Sequence, residues 1–317
     1  MVLTPIVTGV LIFFVSFALT HRMIGRPSAT ITQMLLRTGM WLLPATLSGW
    51  VLQVADRFFL AQSVSAQEMG YYAIANRIAT LLYVAISPFI TVYTPMALAM
   101  QHEPQAKERY ATLARYLIGV VLFAGLGLGL YATEMLIVLT RESYLPAAVY
   151  VGFLTYIHTF GAVNLILYTS GLASKQFKGI TWTVMAGAAV NLALNFLLIP
   201  TYGVWGATTA TVISYAIPPI LLYLWLQPRY PVPYPVAKII GAIAIQFALL
   251  VIGLALPPLP FITRIIVKGF ILLLLPLSYI PLGMITPFEF QQARLLAQRE
   301  WTNRIVPFVR RDPTNHP

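Results

Sequence analysis

The stretch NLALNFLLIPTYGVWGATTATVISYAIPP, residues 191–219, places two asparagines four apart in an apolar run. A proline follows, then two glycines and small residues at a helical interval. Asn191 and Asn195 lie one turn apart on one helix face. Gly206, Ala210 and Ser214 repeat at intervals of four, a small-residue stripe that lets two helix backbones approach closely. Pro200 is expected to end the first helix, and PTYG to make the turn. The segment predicts a tight helical hairpin with one smooth face and two amide anchors. The amides bond to adjacent helices or face a lumen; the spacing fits both.

Such a hairpin belongs in lipid, and the composition agrees. The 317 residues are 59% hydrophobic and only 9% charged, against roughly 25% charged in a soluble domain. Mean hydropathy is +0.79. A soluble surface needs more charge than this, so the chain reads as an all-α integral membrane protein. The absence of cysteine excludes disulfides and thiolate metal sites. The N-terminal run MVLTPIVTGVLIFFVSFALT has no charged segment before it and reads as a retained span rather than a cleaved signal.

A helix needs about 20 apolar residues to cross roughly 30 Å of hydrocarbon. Nine candidate spans meet this, near 3–20, 37–61, 70–98, 115–139, 147–172, 180–199, 204–226, 238–256 and 261–284. Their length, and the absence of two-residue alternation, exclude a barrel. The connectors alternate in charge. Arg22, Arg26 and Arg37 precede the second span, and Lys107, Arg109 and Arg115 the fourth. Lys175 and Lys178 precede the sixth, and Arg229 and Lys238 the eighth. Five arginines follow Met284. The intervening connectors carry no net positive charge. This positive-inside pattern predicts an outside N-terminus and a cytoplasmic C-terminus. It also accounts for most of the +11 net charge, and nucleic acid is not an expected partner.

Ionisable residues within spans are costly and usually face a bundle interior or a water path. Asp56 and Arg57 end the second span. Thr46, Trp50, Gln53 and Arg57 share one face there, and Tyr72, Asn76, Tyr83 and Ser87 share one in the third, bordered by Arg77 and Thr80. Three placements are open. Asp56 and Arg77 form a structural ion pair; Arg57 and Arg77 line a cavity for an anionic substrate while Asp56 holds one of them; or the arginines snorkel to headgroups. Arg264 and Lys268, four apart, snorkel or contact a lipid phosphate. Glu134 is expected to reach water near a helix end. His158 reads as a packing residue or a proton carrier, and Asn164 with Tyr168 as a polar stripe. No phosphate-binding loop, dinucleotide fingerprint, zinc motif or nucleophile elbow occurs, so neither an enzyme nor a cofactor or metal site is expected.

Three segments carry a family resemblance: residues 56–98, with an Asp-Arg at a helix end, a short loop, Gly-x-Tyr and an inward Arg; residues 132–172; and the hairpin at 191–215. In this order they resemble the Wzx-type polysaccharide (O-antigen) flippases of the multidrug/oligosaccharidyl-lipid/polysaccharide exporter superfamily. The resemblance covers about residues 35 to 285. It implies a MATE-like flippase C-terminal lobe with the N-terminal lobe mostly missing. Residues 1–36 would be that lobe's last helix and a linker, 37–226 a six-helix lobe, 227–284 an accessory pair and 285–317 a basic cytoplasmic tail. It further implies export of lipid-linked oligosaccharide repeat units on undecaprenyl pyrophosphate across the bacterial inner membrane, by alternating access. Polysaccharide polymerase and assembly proteins would be neighbours. Arg57 and Arg77 would be lumen cations, with Asp56, Gln53, Asn76, Asn191 and Asn195 as further lumen candidates. A MATE-like drug or cation exporter, a lipid II flippase and a non-transporting scaffold for polysaccharide assembly are the alternatives.

Overall fold

The structure, a computed structural model, describes residues 3–20 and 28–285. The basic tail after Ile285, and Arg22 and Arg26 of the first linker, lie outside the described residues. Nine α-helices and one 3₁₀ turn make up the described chain. They are α1 (Leu3–Thr20), α2 (Ala29–Ser63), α3 (Ala66–Ala99), α4 (Ala106–Leu130), α5 (Ala132–Leu139), the 3₁₀ turn Glu142–Ala147, α6 (Ala148–Ala173), α7 (Phe177–Leu226), α8 (Val236–Leu254) and α9 (Phe261–Ser278). Among the described residues, six helical segments are long and apolar enough to cross a membrane. Their outer surfaces carry large bare side chains such as Phe196, Leu197, Phe270 and Val84. Water would not tolerate so much contiguous apolar surface, and the architecture is that of a multi-pass membrane protein.

Helix α2 falls outside that set of six. Its polar positions, among them Gln53, Asp56 and Arg57, lower its hydropathy, yet it packs along α7 more than along any other helix. It also begins at Ala29, two turns before the expected 37. The turn into α3 is short because Ser65 and Glu68 form a reciprocal capping box. Ser65 Oγ accepts from the Glu68 N–H at 3.2 Å, and Glu68 accepts from the Ser65 N–H at 3.0 Å.

The expected fourth span divides. Helix α4 stops at Leu130 and α5 restarts at Ala132, with Tyr131 between them. Three glycines precede this elbow. A Cβ placed on Gly129 would lie 2.7 Å from Gly152 Cα, so α4 and α6 cross with their backbones in contact.

The hairpin is present as α7, which is bent at Gly203 (φ 54, ψ −126). Pro200 does not end the first arm, contrary to the sequence expectation. Its fixed φ suits a helix, and the lost N–H and the crowding of its ring against the preceding turn are tolerated there. Gly203 makes the bend because a side chain disfavours positive φ. The arms 177–202 and 204–226 then run back on each other. A Cβ on Gly206 would collide with the Leu198 carbonyl, and one on Gly187 would lie 2.8 Å from Pro218 Cγ. Ala210 and Ser214 are fully buried along the same stripe.

Connectors gather at two ends. At one, Val64 lies beside Gly203 and Tyr144 beside Gly70. At the other, Lys107 lies 4.7 Å from the Tyr230 ring, and Arg229 stacks 4.5 Å over Trp225. The basic connectors of α3–α4 and α7–α8 therefore share one end of the bundle.

Candidate functional site

A cavity of about 620 Å³ opens between α2, α3, α6 and the second arm of α7. Two other hollows are almost wholly apolar, whereas this one is lined by Gln53, Asp56 and Arg57 from α2, and by Tyr72, Asn76, Thr80 and Tyr83 from α3. Helix α6 adds His158 and Gly161, and α7 adds Thr211 and Tyr215. The helical period explains the set. Gln53 and Arg57 are one turn apart on α2, as are Tyr72, Asn76 and Thr80 on α3.

Asp56 is 3% exposed. Its carboxylate accepts the Tyr72 hydroxyl on one oxygen and the Arg57 backbone N–H, at 2.7 Å, on the other. The Tyr72 oxygen also lies 3.4 Å from Thr211 Oγ1. Three helices thus meet at the Tyr72 hydroxyl. A buried carboxylate held by neutral donors is stable only while those donors stay in place.

Arg57 is exposed on the cavity wall. Arg77 is also exposed but lies off the lining, about 100° around α3 from Asn76. The lining therefore holds one guanidinium and one carboxylate, and Asp56 is held by Tyr72 rather than by Arg77. Asn191 and Asn195 are fully buried outside the cavity. Asn195 Nδ2 donates to Asn191 Oδ1 at 3.0 Å, while Asn191 Nδ2 and Asn195 Oδ1 have no protein partner. Asn164 and Tyr168 are also away from the lining.

Arg264 and Lys268 form a second charged cluster, on α9. Lys268 Nζ lies 2.9 and 2.8 Å from the two oxygens of Glu134, and Arg264 Nε lies 2.9 Å from one of them. Glu134, expected to reach water, instead joins the α4–α5 elbow to α9. Among the described residues, no group of three or more His, Cys, Asp or Glu is placed to hold a metal.

Three contributors were not singled out as site residues from the sequence. Thr211 and Tyr215 are separated from α2 by some 150 residues, and no local pattern marks them. His158 stood out only as a lone histidine in an apolar helix. Its ring is 6.2 Å from that of Tyr83, and its Nε2 has no hydrogen-bond partner.

The comparison with curated proteins gives no match, and neither does the comparison with solved structures. Residues 1–149, just under half of the chain, match the family described as polysaccharide biosynthesis protein. That segment contains α1 to α5, and with them the α2 and α3 walls of the polar cavity.

Proposed function

We propose that the chain is part of a bacterial inner-membrane exporter that moves lipid-linked oligosaccharide repeat units outward by alternating access. The observation that carries this reading is a cavity of about 620 Å³ whose partly apolar wall also presents amides, hydroxyls, one arginine, one carboxylate and one imidazole. The match of residues 1–149 to polysaccharide biosynthesis proteins supports it. A sugar crossing a membrane must exchange its water hydrogen bonds for protein ones. Gln53, Asn76, Thr80 and Tyr83 offer such groups. Arg57 offers a cation to the pyrophosphate of an undecaprenyl carrier. No bond is broken, so the protein acts as a carrier. Its C-terminus lies in the cytoplasm, and polysaccharide polymerase and assembly proteins receive its product.

The test uses proteoliposomes of the full chain with an undecaprenyl-pyrophosphate-linked oligosaccharide, followed by lectin accessibility. Sugar should reach the opposite leaflet faster than in protein-free vesicles. Gly161 faces open space in the cavity wall, with nothing within 4 Å of where a Cβ would stand. Gly161→Leu should narrow the cavity and slow transfer without lowering the melting temperature. Equal rates with and without protein would refute the reading.

One observation favours a second reading, a MATE-like exporter of organic cations. Asp56 is a buried carboxylate with no cationic side chain bonded to it. Asp56→Asn should then abolish ethidium efflux. Intact efflux in that variant sinks the second reading.

A further inference from the structure

The Glu134–Arg264–Lys268 cluster lies on helices that do not line the polar cavity, and its charge does not balance. One carboxylate faces two cations, which leaves one positive charge unmatched. Both carboxylate oxygens are engaged, Oε1 by Lys268 and Arg264 and Oε2 by Lys268. No other acidic side chain among the described residues is ion-paired with either cation.

The unmatched charge falls on Arg264. The Lys268 side chain is 8% exposed, and its ammonium is enclosed by Glu134 and, at 5.9 Å, by the Tyr131 ring. The Arg264 side chain is 27% exposed. Its Nε is buried 2.9 Å from Glu134 Oε1 in an ion pair that lacks hydrogen-bond geometry, so the exposed part of the side chain lies elsewhere on it, and the Nη groups are the part left to meet an anion.

Depth makes this consequential. Lys268 lies seven residues into α9, on the order of 10 Å along the axis at 1.5 Å per residue. Arg264 lies about one turn in. A free arginine near a helix end extends its side chain to the headgroups. Arg264 is restrained by Glu134, and Glu134 is restrained by Lys268. Tyr131 reinforces the arrangement by donating to the Ile265 carbonyl at 3.0 Å, which fixes α9 against the α4–α5 elbow. The counter-ion must therefore come to the arginine.

We propose that the Nη edge of Arg264 is a docking site for the phosphate of a lipid. The anion available at that depth beside a lipid-facing helix is a lipid phosphate. A guanidinium fork already positioned by an ion pair matches two phosphate oxygens with little further loss of side-chain freedom. The phosphate belongs to a phospholipid headgroup or to a polyprenyl phosphate. The site stands independently of the export reading.

The experiment uses native mass spectrometry of the full chain in maltoside micelles, which contain no phosphate. Phosphatidylglycerol, undecaprenyl phosphate and phosphate-free diacylglycerol are the probes. The wild-type chain should retain the two phosphate lipids and release diacylglycerol. Arg264→Gln should weaken phosphate-lipid retention about tenfold, the scale of one charge-assisted bidentate contact. Lys268→Met leaves Arg264 and Glu134 as a neutral pair, so it should weaken retention several-fold even if the Gln variant does not fold. A preference for undecaprenyl phosphate over phosphatidylglycerol would support a carrier-lipid site, and equal retention a general phosphate-lipid site. Undiminished retention by folded Arg264→Gln or Lys268→Met would overturn the proposal. So would retention of diacylglycerol as strong as that of phosphatidylglycerol.

Discussion

Asp56 and Arg57 are neighbours in the chain with opposite surroundings. The carboxylate is buried under Tyr72, and the guanidinium is exposed at the cavity wall. Tyr72→Phe removes one hydroxyl and leaves a buried carboxylate with a single donor. It should destabilise the fold by about 1–3 kcal/mol, the usual cost of an unsatisfied buried polar group. Thermal unfolding in detergent measures this. Asp56→Asn combined with Tyr72→Phe should cost less than the two single changes added together, because the orphaned charge is then gone. The residues sharing a face were legible in part: Tyr72, Asn76 and Tyr83 line the cavity with Gln53 and Arg57, whereas Ser87, Thr46 and Trp50, which share those faces by spacing, do not. Rotation between helices was not legible. Hydropathy gives no angle about a helix axis, so Arg57 and Arg77 looked equivalent, yet only Arg57 lies on the lining.

At the level of elements, glycine decides where helices bend and how closely they cross. Gly203 holds φ 54 and ψ −126, a conformation that costs other residues on the order of 1–3 kcal/mol. Gly203→Ala should lower the melting temperature measurably, whereas Gly49→Ala, at a helical position with nothing within 4 Å, should not. A thermal scan in detergent compares the two. The hairpin was readable because glycine and small residues are spaced at helical intervals. The elbow at Tyr131 was not. A tyrosine inside an apolar run leaves hydropathy unchanged, and the break depends on how α4 and α5 pack on α6. The two early turns of α2 were missed for the converse reason, since their polar residues look like a linker until they are seen in helical register.

Among the described residues, the molecule presents an apolar outer surface, two loop-bearing ends and a polar hollow. With no native cysteine, single cysteines can be placed freely. Cysteines at Gln67 and His102, near opposite ends of α3, should react with an impermeant maleimide from opposite sides of sealed vesicles. A cysteine at Gln53 should react with a small water-borne thiol reagent through the cavity, and one at Leu197, exposed on the apolar surface, should not. Same-side labelling of 67 and 102 would contradict a single crossing by α3. The alternation of basic connectors implies this arrangement, and Lys107 beside Tyr230 unites two of them at one end.

The doubled-back α7 also governs how the chain enters a bilayer during synthesis. Its first arm carries Asn191 and Asn195, with one amide donor and one amide acceptor left over. Its second arm carries Thr208, Thr211 and Ser214, all buried in the finished fold. Released singly, each arm would show lipid its polar side. Released as a pair already bent at Gly203, they hide much of it together. Such pairing would require residues up to 226 to emerge from the ribosome before the arm beginning at 177 partitions into lipid.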